Sequence, residues 1–277
     1  MTPLTPCDFP LFVPASRPER FEKALTAAHD AVIFDLEDAV AADAKTRARD
    51  ALADHFPGIA RQGRACFVRI NARDTPWHSD DVALCADLDL AGVMLPKAER
   101  ADDMTALAAA LPPGRTLLAL IETAAGLVHA AAIARSAGRL VFGSVDFCAD
   151  LGCDLDRPLL LRPRQDLVIA SRLAGLPAPV DGVTTALKDP DLIRDDAAHA
   201  AGLGMGGKLL IHPFQIPPAL QGFAPSSEMV AWAGRVLAAS AGEAVAVDGM
   251  MIDAPVLARA RSILARNASA TDLKLEG

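Results

Sequence analysis

A chain of 277 residues with 52% apolar side chains can bury a core of ordinary size, which excludes disorder as a description; 4% aromatic content and no tyrosine make that core aliphatic. Twenty-seven lysines and arginines against 35 aspartates and glutamates leave a net charge of −8, the wrong sign for neutralising nucleic-acid phosphates, so an anionic ligand has to meet a local basic patch. Five cysteines, odd in number and without CxxC spacing, indicate neither a disulfide framework nor a zinc site and suit a reducing, cytoplasmic compartment.

The opening MTPLTPCDFPLFVP has no basic stretch and is broken by proline, which is not the pattern of a secretory signal. The most apolar segment, TLLALIETAAGLVHAAAIA, carries Glu122 and His129, as a membrane span would not. Neither nucleic acid nor membrane is therefore expected as a partner. In chain order the short apolar runs are LFV (11–13), AVIFDL (31–36), CFVRI (66–70), GVML (92–95), TLLALI (116–121), RLVFGSV (139–145), PVDGV (179–183) and KLLIH (208–212). Helix-like stretches separate them, among them RPERFEKALTAA with proline in its first turn and DAKTRARDALADHF with Asp43 placed to cap it.

Eight strands alternating with helices are what a TIM (β/α)8 barrel needs, and such a barrel gathers its chemistry at the carboxyl ends of the strands. Those ends read Val13-Pro14, Asp35-Leu36-Glu37-Asp38, Arg69-Ile70-Asn71, Pro96-Lys97, Glu122-Thr123, Asp146, Thr184-Thr185 and His212-Pro213. Ionisable groups crowd there, whereas the interiors of the runs are nearly bare of them. AVIFDLEDAV makes the point by itself, because carboxylates straight after a buried strand are costly unless the strand opens into a polar mouth. A doubly wound open sheet competes, but its nucleotide signature would follow a strand, whereas GLGMGG (202–207) precedes one and reads as a helix-ending turn.

The barrel is complete by residue 213. Residues 214–277 then form a helix-hairpin-helix extension of the same single domain, with Asp248-Gly249 as the hairpin turn. It is either a cap over the barrel's own mouth or an arm reaching a neighbouring subunit.

Glu122 and Asp146 end consecutive strands, which lie about 5 Å apart, so the two carboxylates can share one hard cation such as Mg2+. The plainer alternative has Glu122 capping a helix and Asp146 in a turn. Arg69 is either a clamp for a substrate carboxylate or a partner for Asp35, Glu37 and Asp38 on the adjacent strand, and both can hold at once. Arg17, Arg20 and Lys23 offer a local positive region for phosphates, with a solvated helix face as the ordinary reading of Arg20. His212 is placed for catalysis or for a bond to backbone. Cys148 has no neighbouring base and reads as a core residue, and the other histidines receive no role.

LFVPASRPERFEKAL, VIFDLEDAV, VRINARDTPWHSDD, VMLPKAE, LIETAAGL, VFGSVDFCADLG, KLLIHPFQI and the late DGMMIDAP, in that order, resemble the citrate lyase beta-subunit and malyl-CoA lyase group of the HpcH/HpaI aldolase superfamily. The resemblance implies a TIM barrel and Mg2+-dependent cleavage or formation of a carbon–carbon bond in a 3-hydroxyacyl thioester, a CoA ester or an acyl-carrier thioester. It implies that Glu122 and Asp146 hold the metal, that Arg69 contacts substrate, and that Phe12, Val13, Arg17, Lys23, Ile211 and His212 line the coenzyme A site. Asp253 of MMID matches an acid that relatives supply from an adjacent subunit, which implies a homotrimer or a multiple of one, and Glu37 and Asp38 are expected to hold metal-bound waters or fix Arg69. Two other functions stay open: hydrolysis of the thioester at the same metal site, and a non-catalytic subunit that binds an acyl carrier. Pro14-Ala15-Ser16 departs from the glycine-containing loop of many relatives, and DLED stands where the simpler pyruvate aldolases of the superfamily carry a catalytic histidine.

Overall fold

The structure, a computed structural model, describes residues 7–60, 62–239, 246, 247 and 250–275. Eight parallel strands lie in one sheet in sequence order: β1 (Leu11–Pro14), β2 (Ala31–Asp35), β3 (Ala65–Arg69), β4 (Gly92–Leu95), β5 (Thr116–Ile121), β6 (Arg139–Phe142), β7 (Val180–Asp181) and β8 (Gly207–Lys208). A parallel bridge between Leu11 and Leu210 brings the first strand beside the chain leaving the eighth, so the sheet curls into a TIM-like arrangement. The crossovers carry helices α1 (Phe21–Ala27), α2 (Lys45–Ala60), α3 (His78–Asp87), α4 (Ala101–Ala110), α5 (Ala124–Ala134), α6 (Ser144–Leu151), α7 (Arg157–Leu173) and α8 (Pro190–Gly202).

Both faces of the strands are buried, as parallel strands under helices require. Ile33, Phe67, Met94, Leu118, Leu120, Val141, Val180 and Leu209 fill the space inside the curl. Their neighbours Val32, Phe34, Val68, Val93, Ala119, Leu140 and Phe142 pack outward against the helices. Strand side chains alternate with a period of two. The parity that sends Ile33, Phe67 and Leu120 inward therefore also places Asp35, Arg69 and Glu122 at the inner rim of the C-terminal end.

The observed elements correct some boundaries. Pro18 opens a separate 3-10 turn (Pro18–Arg20) before α1, and Asp43 lies within a 3-10 turn (Ala42–Ala44) rather than capping α2. β7 and β8 are two residues each. At β7 the chain passes so close to α6 that a Cβ on Gly182 would lie 2.2 Å from Ser144 Oγ. GLGMGG does end a helix and precede a strand, with Gly204 turning at a φ of +93°.

Beyond β8 come a 3-10 turn (Pro213–Gln215), α9 (Ile216–Phe223), α10 (Ser227–Ala239), the antiparallel pair β9 (Ala246–Val247) and β10 (Met250–Met251), and α11 (Ala254–Leu275). α9 packs on α8, while α10 and α11 bury Ala233, Val236, Ala260 and Ile263 against each other. The Asp248-Gly249 turn lies outside the described residues. Among the described residues no helix is long and apolar enough to cross a membrane.

Candidate active site at the barrel mouth

A cavity of about 550 Å³ opens at the C-terminal end of the sheet, lined among others by Phe12, Asp35, Asp38, Arg69, Glu122, Asp146 and Ile211. Register explains its central ion pair. Asp35 stands directly opposite Arg69 across the β2/β3 ladder, and both point inward. Arg69 Nε donates to Asp35 Oδ1 at 2.7 Å and Nη2 to Oδ2 at 2.7 Å, a two-point clasp that fixes the guanidinium plane. Its remaining nitrogen, Nη1, donates to Asp38 Oδ2 at 3.3 Å and lies 3.1 Å from Glu37 Oε2, while the Phe12 ring packs 4.9 Å from the guanidinium carbon. Pairing with the neighbouring carboxylates thus holds for Arg69, and the residue still faces the cavity.

The loop after β2 is tied down by side chains from α2 and from just past the end of β3. Lys45 Nζ donates to the carbonyls of Leu36 and Glu37 at 2.8 and 2.7 Å, and Asn71 Nδ2 donates to Leu36 O at 3.0 Å and to the buried Asp81 at 2.6 Å. Burial holds the Glu37 carboxyl above the usual range despite Arg69 and Lys97.

Glu122 follows β5. One oxygen, Oε1, accepts from the Lys97 backbone N–H at 2.8 Å; the other, Oε2, is buried without any hydrogen-bond partner. Burial, reinforced by the negative charge of Glu37, pushes its carboxyl up to about 8. An oxygen so placed is costly unless a cation meets it. Glycine at 143 is what leaves it room, since a Cβ there would sit 2.5 Å from Glu122 Cβ and Oε2. Asp146 also lines the cavity, but from the first turn of α6, because β6 ends at Phe142 and α6 begins at Ser144. Nor does Glu122 cap the next helix: Thr123 does, its hydroxyl accepting from Gly126 N–H at 3.0 Å. Among the described residues no group of three or more His, Cys, Asp or Glu converges as a ready-made metal cluster. Two carboxylates suffice for a hard divalent cation that completes its shell with water and substrate oxygens, and the orphaned Oε2 fits that demand.

The residues expected around coenzyme A separate by parity. Phe12 and Ile211 line the cavity, whereas Val13, on the other face of β1, is buried against the helix layer, which leaves only its main chain to meet a ligand. Arg17 and Lys23 are exposed, with Arg17 paired to Glu19, and His212 Nδ1 accepts from Phe214 N–H at 3.1 Å, capping the following turn. Asp253 is exposed, does not line the cavity, and accepts from Val256 N–H at the start of α11.

Lys97 was visible in the sequence only as the residue ending a strand, and the sequence assigns it no role. Besides its backbone bond to Glu122, its ammonium donates to Glu37 Oε1 at 2.9 Å, joining the two acidic positions of the mouth.

A sequence profile of the HpcH/HpaI aldolase/citrate lyase family matches residues 9–213. A citrate lyase subunit beta-like protein of Mycobacterium tuberculosis is 39% identical over 272 residues, spanning 94% of this chain and 96% of its own length. A (3S)-malyl-CoA thioesterase of Cereibacter sphaeroides is 39% identical over 267 residues, spanning 92% of this chain and 93% of its own. Among solved structures, the CitE protein of Mycobacterium tuberculosis in complex with magnesium, acetoacetate and coenzyme A matches with a TM-score of 0.84 at 38% identity, covering 94% of this chain and 98% of that one.

Proposed function

The chain belongs to the HpcH/HpaI aldolase/citrate lyase family, and from that premise we propose that it is a Mg2+-dependent carbon–carbon lyase acting on a 3-hydroxyacyl thioester of citryl-, malyl- or citramalyl-CoA type. The observation that carries the reading is the buried, unpartnered Oε2 of Glu122 in a mouth that also holds Asp146 and the Asp35-clasped Arg69. The magnesium, acetoacetate and coenzyme A of the similar CitE structure support the same choice of metal and carrier.

Glu122 and Asp146 would hold Mg2+. Bound there, the ion supplies Lewis-acid polarisation of the substrate's hydroxyl and neighbouring carboxylate oxygens. In the cleavage direction the hydroxyl proton passes to a base, the carbon–carbon bond breaks to give a keto acid, and the departing thioester enolate takes up one proton at carbon. Arg69 cannot swing, because Asp35 grips it at two points, so its charge is already in place when the enolate forms. Glu37 and Asp38 fix the third guanidinium nitrogen, and with the ion bound they would also be placed to hold its waters. Asp253 exchanges the proton with the enolate carbon. Because it is exposed and stands outside this chain's own cavity, it serves the mouth of a neighbouring copy, in a homotrimer or a multiple of one. Residues 1–213 then carry the metal and substrate sites, and 214–277 serve assembly. Phe12, Ile211, Arg17, Lys23, His212 and the Val13 main chain receive coenzyme A, and five free cysteines suit the cytoplasm.

Thioester hydrolysis is the second reading, favoured by the 39% identical relative named as a malyl-CoA thioesterase. A coupled assay separates the two: purified protein with Mg2+ and malyl-, citramalyl- or citryl-CoA, following keto acid and free thiol. Keto acid with an intact acyl-CoA product is expected; free thiol without keto acid makes the protein a thioesterase. Glu122→Gln and Asp146→Asn should each lower Mg2+-dependent turnover by at least about a hundredfold while leaving the circular dichroism spectrum unchanged. Unaltered turnover in either variant would remove that residue from the metal site.

A further inference from the structure

Among the described residues Lys97 is the only non-glycine with positive φ, at +47°. Left-handed backbone is disfavoured for a lysine and persists where surrounding structure over-determines it. Here the surroundings are specific. The Ala98 N–H is bound to Leu120 O at 3.1 Å, clipping the loop after β4 to β5, and the Lys97 N–H just before it is aimed at Glu122 Oε1 at 2.8 Å. Since Oε1 is taken, the carboxylate presents Oε2, the oxygen with no partner and with Gly143 beside it. A glycine would adopt this conformation freely but could not also send an ammonium to Glu37 Oε1, 2.9 Å away.

We propose that Lys97 is a positioning residue for the cation site: its left-handed main chain turns the N–H onto Glu122 Oε1 and so reserves Oε2 for the ion. This rests on the proposed role of Glu122 as a metal ligand. The lysine side chain is secondary to the effect, and as a positive charge beside the site it opposes cation binding if it does anything alone.

The test is Mg2+ affinity of the full-length, chelator-stripped protein, measured by titration calorimetry, for the wild type and Lys97→Gly, Lys97→Ala, Lys97→Val and Glu122→Gln. Lys97→Gly keeps the N–H and the left-handed turn, so its Kd should stay within about threefold of wild type or fall. Lys97→Val puts a β-branched residue where left-handed backbone is least tolerated, so the peptide flips and Kd should rise by about tenfold or more, whereas Lys97→Ala, unbranched at Cβ like the lysine itself, should stay within about threefold of wild type. Should the valine variant not fold, Lys97→Thr, also β-branched, takes its place, with the same rise in Kd expected. Equal loss in Gly, Ala and Val would overturn the proposal and assign the effect to the ammonium's bond to Glu37; wild-type affinity in the valine variant would overturn it outright. Glu122→Gln separates the premise, because wild-type Mg2+ affinity there sinks the metal assignment itself, whatever the Lys97 series does.

Discussion

Arg69 must satisfy carboxylates before it can meet any substrate. Its fork matches Asp35 at two bonds of 2.7 Å, and what remains is shared between Glu37 and Asp38. Lysine can replace the charge but not the fork. Arg69→Lys should therefore fold and lose about a hundredfold or more in kcat/KM. Arg69→Met, which strands Asp35 as a buried charge, should cost about 3–5 kcal/mol in urea unfolding. A stability loss under about 1 kcal/mol for Arg69→Met would mean that Asp35 is solvated or protonated once its partner goes. Much of this corner was legible beforehand, since carboxylates and an arginine ending adjacent strands had to meet. Lys97 was not. Its contribution comes from a φ angle, and nothing about a lysine announces positive φ.

At the scale of elements, the short strands β7 and β8 owe their fixity to charge rather than to ladder length. Lys208, on β8 and fully buried, reaches Asp181 of β7 at 3.1 Å and Asp196 of α8 at 2.8 Å, while Arg164 of α7 donates to Asp181 at 2.7 Å. The sequence presented KLLIH as an apolar run with a lysine in front, and gave no sign of where that lysine's partners would come from. Burial pushes the Asp196 carboxyl up, but Lys208 and the Thr184 hydroxyl win and hold it down at about 2, from an ordinary 3.8. A depressed carboxylate stabilises the fold above its unfolded pKa and ceases to as pH falls through the folded one. The gap in unfolding free energy between wild type and Asp196→Asn should be at least about 2 kcal/mol at pH 7 and should close between about pH 4 and pH 2. Denaturant titrations at pH 7, 4 and 2.5 measure it; a gap independent of pH would show that the substitution acts through packing instead. Where α6 begins was equally hidden: RLVFGSV has strand character throughout, yet Gly143 breaks it, and Asp146 reaches the mouth from a helix.

For the whole molecule, the contact from Leu11 to Leu210 closes the curl, and the chain then leaves it through α9 to a pair of helices that bury each other. Asp253 travels with that pair and caps α11 instead of lining its own chain's cavity. If it serves a neighbouring mouth, Glu122→Gln and Asp253→Asn subunits should each be impaired by about 10²–10⁴-fold alone and should regain activity when unfolded, mixed and refolded together, because some mouths then hold both groups. Sedimentation velocity on the same samples should give a trimer or a multiple of one. Mixed assemblies no better than their parents, or a monomer at assay concentrations, would place Asp253 outside the chemistry. By itself the sequence determined the alternation of strands and helices and the crowding of ionisable groups at strand ends, because both are written locally: short continuous apolar runs between helix-like stretches, and a polar residue where each run stops. Only the tertiary structure decided which oxygen pairs with which cation, that Val13 turns away where Phe12 turns in, and that Asp253 stays off its own barrel. Those follow from register between distant strands and from backbone angles, and neither is a property of any residue taken alone.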